Sequence, residues 1–163
     1  MLKTIKRRRK ENKTDYLKRI RLLRSETPRI VLRRTNKHFI AHYTTSESAQ
    51  DKIVFGMTSK ELLKYGLSES AKGSLKSIST AYLFGVLIGK QILDKKLTTP
   101  IVDLGMMKTL HKSKPYAFLK GLIEAGLEIN CKEEAFPSEE RIRGEHLKNK
   151  INVEEIKLKI LGK

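Results

Sequence analysis

Apolar and polar positions divide the chain into recognisable segments. In TDYLKRIRLLRS (14–25), Tyr16, Ile20 and Leu23 fall at i, i+4 and i+7, one stripe of a helix. Thr14 is the expected N-cap, and Pro28 lies just beyond the stop. Three strand-like runs follow: RIVLRRT (29–35), NKHFIAHYTT (36–45) and KIVFGMTS (52–59). In the second, Phe39, Ala41 and Tyr43 point one way and Ile40 and His42 the other; in the third, Ile53, Phe55 and Met57 share a face. Asn36-Lys37 suits a tight turn because Asn tolerates positive φ, and SESAQD reads as a polar loop, giving an antiparallel meander.

SKELLKYGL (59–67) predicts a short helix ended by Gly66, and residues 68–79 a flexible polar loop. The strongest helix spans about 79–96. It contains AYLFGVLIGKQIL, which is too short and too interrupted by Lys90 to cross a membrane. Gly85 and Gly89 inside it are expected to let a buried helix approach a sheet closely. TTPIVDLGM (98–106) predicts a buried strand ending at Gly105 and parallel to an earlier one. PYAFLKGLIEAG predicts a helix over 115–126. The charged tail ends in either a short helix or a strand. The expected class is α/β: a mixed sheet, a three-stranded antiparallel meander plus one parallel strand, flanked by helices. Residues 1–13 form an extended basic arm, 14–130 the α/β domain and 131–163 a C-terminal extension.

Charge changes this picture most. The net charge is +17. Residues 1–40 hold 15 Lys/Arg against 3 Asp/Glu, so a quarter of the chain carries most of the excess. Such a footprint points to a polyanion. A membrane anchor would need a broader apolar face with Trp or Phe, and an import signal would end before residue 24. Arginine pairs with phosphate bidentately and keeps its charge, and a Tyr beside basic residues can stack on an unpaired base. RNA is favoured over DNA because no recognition-helix motif is present.

Catalytic signals are sparse. His38, His42, His111 and His146 are scattered, and HExxH, CxxC, GxSxG and Gly-rich phosphate loops are missing. They read as surface or RNA-facing residues. Asp103, at a strand end, reads as a loop cap, and Cys131 as a small apolar filler. A single cysteine excludes a disulfide framework and, with no secretory pattern, points to an intracellular protein. No cofactor or metal is expected.

The segments RRRKENKTDYLKRIRLLRSETPRIVLRRTNKHFIAHY, TAYLFGVLIG, IVDLGM and FPSEERIRGEH together resemble the large-subunit ribosomal proteins of family eighteen, called five in eukaryotes, in the archaeal and eukaryotic branch. The resemblance covers about residues 5–147. The loop AKGSLKSIS departs from the archaeal pattern, and the end of the tail has no matching counterpart. The resemblance implies an α/β fold of ribonuclease-H-like, ribosomal type. It implies a structural role in the cytoplasmic large subunit, binding 5S rRNA and anchoring it to large-subunit rRNA in the central protuberance, beside the other 5S-binding protein (family five) and neighbouring proteins. It places rRNA contacts at Lys6, Arg7, Arg8, Arg9, Lys10, Lys13, Tyr16, Arg19 and Arg21, and at Arg33, Arg34, Asn36, Lys37 and His38. The rivals are a metal-dependent nuclease using Asp103 on a ribonuclease-H-like sheet, and an RNA binder off the ribosome.

Overall fold

The computed structural model describes residues 4–48, 50–67, 75–145 and 151–162. The arm is not extended throughout: Arg7–Lys10 close one helical turn (α1). A second helix, α2 (Tyr16–Leu23), is capped by Asp15 rather than Thr14. The Asp15 carboxylate accepts from Lys18 N at 3.2 Å, while the Thr14 hydroxyl accepts from Arg8 Nε at 2.9 Å. The carboxylate is the better acceptor at an N-terminus, where it also meets the helix dipole.

The strands β1 (Arg29–Arg34), β2 (Phe39–Glu47) and β3 (Gln50–Thr58) form the expected meander. The β1–β2 turn does not use a left-handed Asn36. The Thr35 hydroxyl closes it instead, accepting from His38 N at 3.0 Å and donating to His38 O at 2.7 Å. The SESAQD loop is shorter than expected, because β2 and β3 pair as far as Glu47 and Gln50. A bulge also interrupts the β3 alternation: Tyr43 pairs Phe55, but Thr44 pairs Ile53, leaving Val54 extra. One extra residue flips every earlier side chain of the strand to the other face. Ile53 therefore does not share a face with Phe55 and Met57, and is exposed.

Ser59–Tyr65 form a 3-10 helix in which Glu61 accepts from Thr58 N at 3.1 Å and Gly66 turns the chain at φ 97°. The loop expected over 68–79 lies outside the described residues at 68–74. Beyond it, Ser77 accepts from Thr80 N and caps α3 (Ile78–Asp94). The strand expected over 98–106 contracts to β4 (Ile101–Asp103), parallel to β1. Pro100 has no donor to add to the ladder. The Asp103 carboxylate captures Gly105 N at 2.7 Å and turns the chain out of the sheet. The sheet order is β3-β2-β1-β4. Next come α4 (Lys114–Glu124), α5 (Glu139–Arg143) and α6 (Val153–Leu161). The tail thus ends in a helix, closed by Gly162 at φ 74°.

Because α3 is apolar almost all round, it must be buried on every side. Ile30, Leu32, Phe39, Ala41 and Tyr43 line the sheet face of the same core that holds α3, α4 and α6. Close approach occurs between helices, not between helix and sheet. A Cβ at Gly85 would overlap the Phe118 carbonyl, and one at Gly121 would overlap the Tyr82 carbonyl and lie 2.9 Å from Val86 N. The Ile142, Val153, Ile156 and Ile160 side chains join this core. Polar contacts orient α6: Glu124 accepts from both Lys157 and Tyr82, and Lys90 donates to Ile160 O at 2.6 Å. Burial and the Glu124 carboxylate push the Tyr82 phenol up to about 12.

Gly121→Ala is expected to force α3 and α4 apart and cost about 3 kcal/mol, read as a lower urea midpoint with unchanged m-value. Full stability in the variant would contradict a helix crossing limited by backbone contact.

Candidate nucleic-acid interface

The face of the sheet opposite α3 carries charge. Arg29 is 1 % exposed, and its guanidinium contacts Asp51 at 2.6 Å, Ser46 at 2.8 Å and Asp103 at 3.8 Å. Arg19 of α2 reaches Asp51 at 3.0 Å, and Arg33 reaches Asp103 at 3.3 Å. These contacts join α2, β1, β3 and β4. Burial raises the Asp51 pKa, but the Ser46 hydroxyl and the Arg29 and Arg19 guanidiniums outweigh it and hold the carboxyl below its usual value. Asp103 is the loop cap expected from the sequence: one oxygen takes Gly105 N, the other faces Arg33 and Arg29. Its occupation by guanidiniums leaves the nuclease rival without a free carboxylate at that strand end. Among the described residues, no His, Cys, Asp and Glu group together in a way that could hold a metal ion. Cys131 is half-buried, with its thiol pushed up by burial.

Residues 4–13 are all exposed. Their cations rest on nearby acceptors. Arg9 contacts Asp15 at 3.1 Å and Met106 Sδ at 3.1 Å, Lys13 contacts Glu11 at 2.8 Å, and Arg7 lies 3.8 Å from Glu11. Lys6 sits over the Tyr16 ring at 4.6 Å, a cation–π contact. Lys10 and Arg21 are exposed, and Asn36 and Lys37 are exposed at the hairpin tip. His38 is half-buried, with Nδ1 enclosed and unpartnered.

Four of the expected residues converge. Arg8 and Lys13 from the arm, with Arg33 and Arg34 from β1, line one groove of about 920 Å³. Its other walls are the 104–115 segment and Arg141 of α5. That segment supplies Lys108, Lys112 and Lys114, which the charge count over residues 1–40 passes over; the signal was the lysine-rich stretch KTLHKSKP. No Asp or Glu lines the groove among the described residues. Lys114 reports the crowding: burial, then Arg34 and Lys76, hold its pKa below the usual ammonium value. Lys13 and Arg33 keep their contacts with Glu11 and Asp103, but the excess of cations on this concave surface attracts a polyanion. The Asp103 carboxylate and the Gly105 turn steady one wall, because Arg33 lies against Gly105 at φ 57°, where a Cβ would come 2.7 Å from it.

Fold and groove together define a basic α/β protein with a polyanion-binding face. Residues 2–100 match the family model described as "Ribosomal large subunit proteins 60S L5, and 50S L18". The chain is 40 % identical over 141 residues to the large ribosomal subunit protein uL18 of Korarchaeum cryptofilum, covering 86 % of this chain and 70 % of that one. It is 38 % identical over 141 residues to uL18 of Methanoregula boonei and of Methanococcoides burtonii, again over 86 % of this chain and 79 % of each relative. The chain belongs to this ribosomal family, in its archaeal branch. It is a structural constituent of the cytoplasmic large ribosomal subunit.

Asp51→Ala leaves Arg29 buried with the neutral Ser46 hydroxyl and, as its nearest remaining carboxylate contact, the more distant Asp103. Breaking one side of a buried pair is expected to cost about 3 kcal/mol, whereas Asp94→Ala on the exposed end of α3 should stay within about 0.5 kcal/mol. Since the Asp51 pKa is depressed in the fold, its contribution is present above the ordinary value of 3.8 and lost as pH falls through the lower folded value. The variant should therefore show a flatter loss of stability in acid. Equal denaturation midpoints for Asp51→Ala and wild type would remove Asp51 from the network.

Proposed function

We propose that the chain binds 5S rRNA and anchors it to the large-subunit rRNA in the central protuberance, beside the other 5S-binding protein. The observation that carries this reading is the acid-free cationic groove, which gathers cations from residues 8–141 onto one surface. Family membership makes rRNA the polyanion of first choice. The arm supplies a second set of contacts. Arg8, Arg9 and Lys13 exchange Thr14, Asp15 and Glu11 for phosphate oxygens, so the arm is held near its working position before RNA arrives. Arg33, held by Asp103, positions rather than searches. The hairpin tip exposes Asn36 and Lys37. The protein performs no bond chemistry in this reading; it neutralises and aligns.

If about six to ten phosphates are engaged, the 5S rRNA affinity should fall by roughly 10³ to 10⁵ between 50 and 200 mM salt. Deleting residues 1–13 should leave thermal unfolding of the remainder unchanged, because none of residues 4–13 is buried, while weakening 5S rRNA binding and flattening the salt slope. Filter binding across a salt series is the measurement. Unchanged affinity after the deletion would sink the arm's role. A wild-type chain that prefers random duplex DNA at physiological salt would sink the 5S assignment. In cell extracts, a protein with this role sediments with the large subunit.

A further inference from the structure

The cationic groove has an apolar floor that phosphate cannot use. Leu104, Met106, Met107, Leu110 and Pro115 line it together with the arm cations and those of the 108–114 segment. Leu110 is 66 % exposed, and Met106 is half-exposed and absent from the core cluster. A paired helix would press only its phosphates on the rim and leave these side chains in water. An unpaired nucleotide has both parts that the groove can hold: a phosphate for the rim and a flat apolar base for the floor. Thioethers contact aromatic faces favourably, and single-stranded or looped-out bases are the part of RNA that side chains can reach. The volume of about 920 Å³ lies within the range of sites that enclose small organic ligands, roughly 300–1,000 Å³.

We infer that this groove captures an unpaired, unstacked nucleotide of the bound RNA, seating its base on Met106 and Leu110 and its flanking phosphates on Arg34 and Lys114. The inference rests on the RNA-binding reading above and narrows it: the groove selects a bulge or loop, while the arm and hairpin hold phosphates of any helix. Charge complementarity chooses RNA over a peptide, since a peptide would need several carboxylates at once to match the rim.

The test uses the full chain with two model hairpins, identical except that one carries a single-nucleotide bulge with 4-thiouridine at the bulged position. Wild type should bind the bulged hairpin more tightly, and irradiation should crosslink it within residues 104–115. Met106→Gln and Leu110→Gln change no charge and lie off the core, and the glutamine amide oxygen at position 106 keeps an acceptor for Arg9, so circular dichroism should be unaltered. Each should lower affinity for the bulged hairpin by about fivefold or more, leaving paired-hairpin affinity and both salt slopes unchanged. Equal affinity of wild type for the two hairpins would overturn the inference. So would crosslinks confined to other segments, or equal losses on both RNAs. A neutral result for both variants would also overturn it and leave the apolar floor to a protein neighbour. The hairpins report on the groove whether or not 5S rRNA proves to be the natural partner, so the two readings fail separately.

Discussion

A guanidinium buried to 1 % exposure must be paired, and Arg29 is the side chain on which the sheet depends. It sits at the start of the strand between β2 and β4, and its partners come from both sides: Ser46 and Asp51 from the β2–β3 hairpin, and Asp103 from β4. One charge thereby ties the two edge strands to a central one. The same carboxylates then reach outward, Asp51 to Arg19 and Asp103 to Arg33. The interior requirement for charge balance thus positions two of the surface cations that face the groove and the second helix.

Beneath the other sheet face, the constraint is steric. Gly85 and Gly121 bring α3 and α4 into backbone contact, which leaves α3 enclosed by sheet, α4 and α6. The segment between β4 and α4 buries Leu104 and packs Met107 against the core, and exposes Lys108, Leu110 and Lys112. The groove is the space between that segment and the arm.

The two cationic regions differ in their resting state. In the arm, Asp15, Glu11 and Thr14 occupy the basic side chains, which limits self-repulsion and holds the arm near the domain. In the groove only Lys13 and Arg33 are seen to reach acids, Glu11 and Asp103, no acid lines the surface among the described residues, and burial with Arg34 and Lys76 holds the Lys114 pKa down. A ligand phosphate relieves repulsion in the groove but must displace local partners in the arm.

Much of this was legible from the chain. Helical periodicity marked α2, apolar runs marked α3 and α4, alternation marked the faces of β2, and Pro115, Gly66 and Gly126 marked ends, because each signal is carried by residues close in sequence. Arg8, Lys13, Arg33 and Arg34 were legible as interface candidates through the family resemblance, with charge density marking the region they lie in. The bulge at Val54 was not, since Ile53, Phe55 and Met57 alternate without a break. Yet it is that extra residue which turns Asp51 to the face where Arg29 lies buried. The tail could be read as helix or strand because its pattern is short; α6 is settled by Glu124, Tyr82 and Lys90 on distant helices. The groove likewise belongs to no segment. Local sequence determined which elements form and which end of the molecule is basic. Only the tertiary structure decided where cations gather without acids, because Coulomb and packing energies depend on distance in space, and the residues concerned lie up to a hundred or more positions apart in the chain.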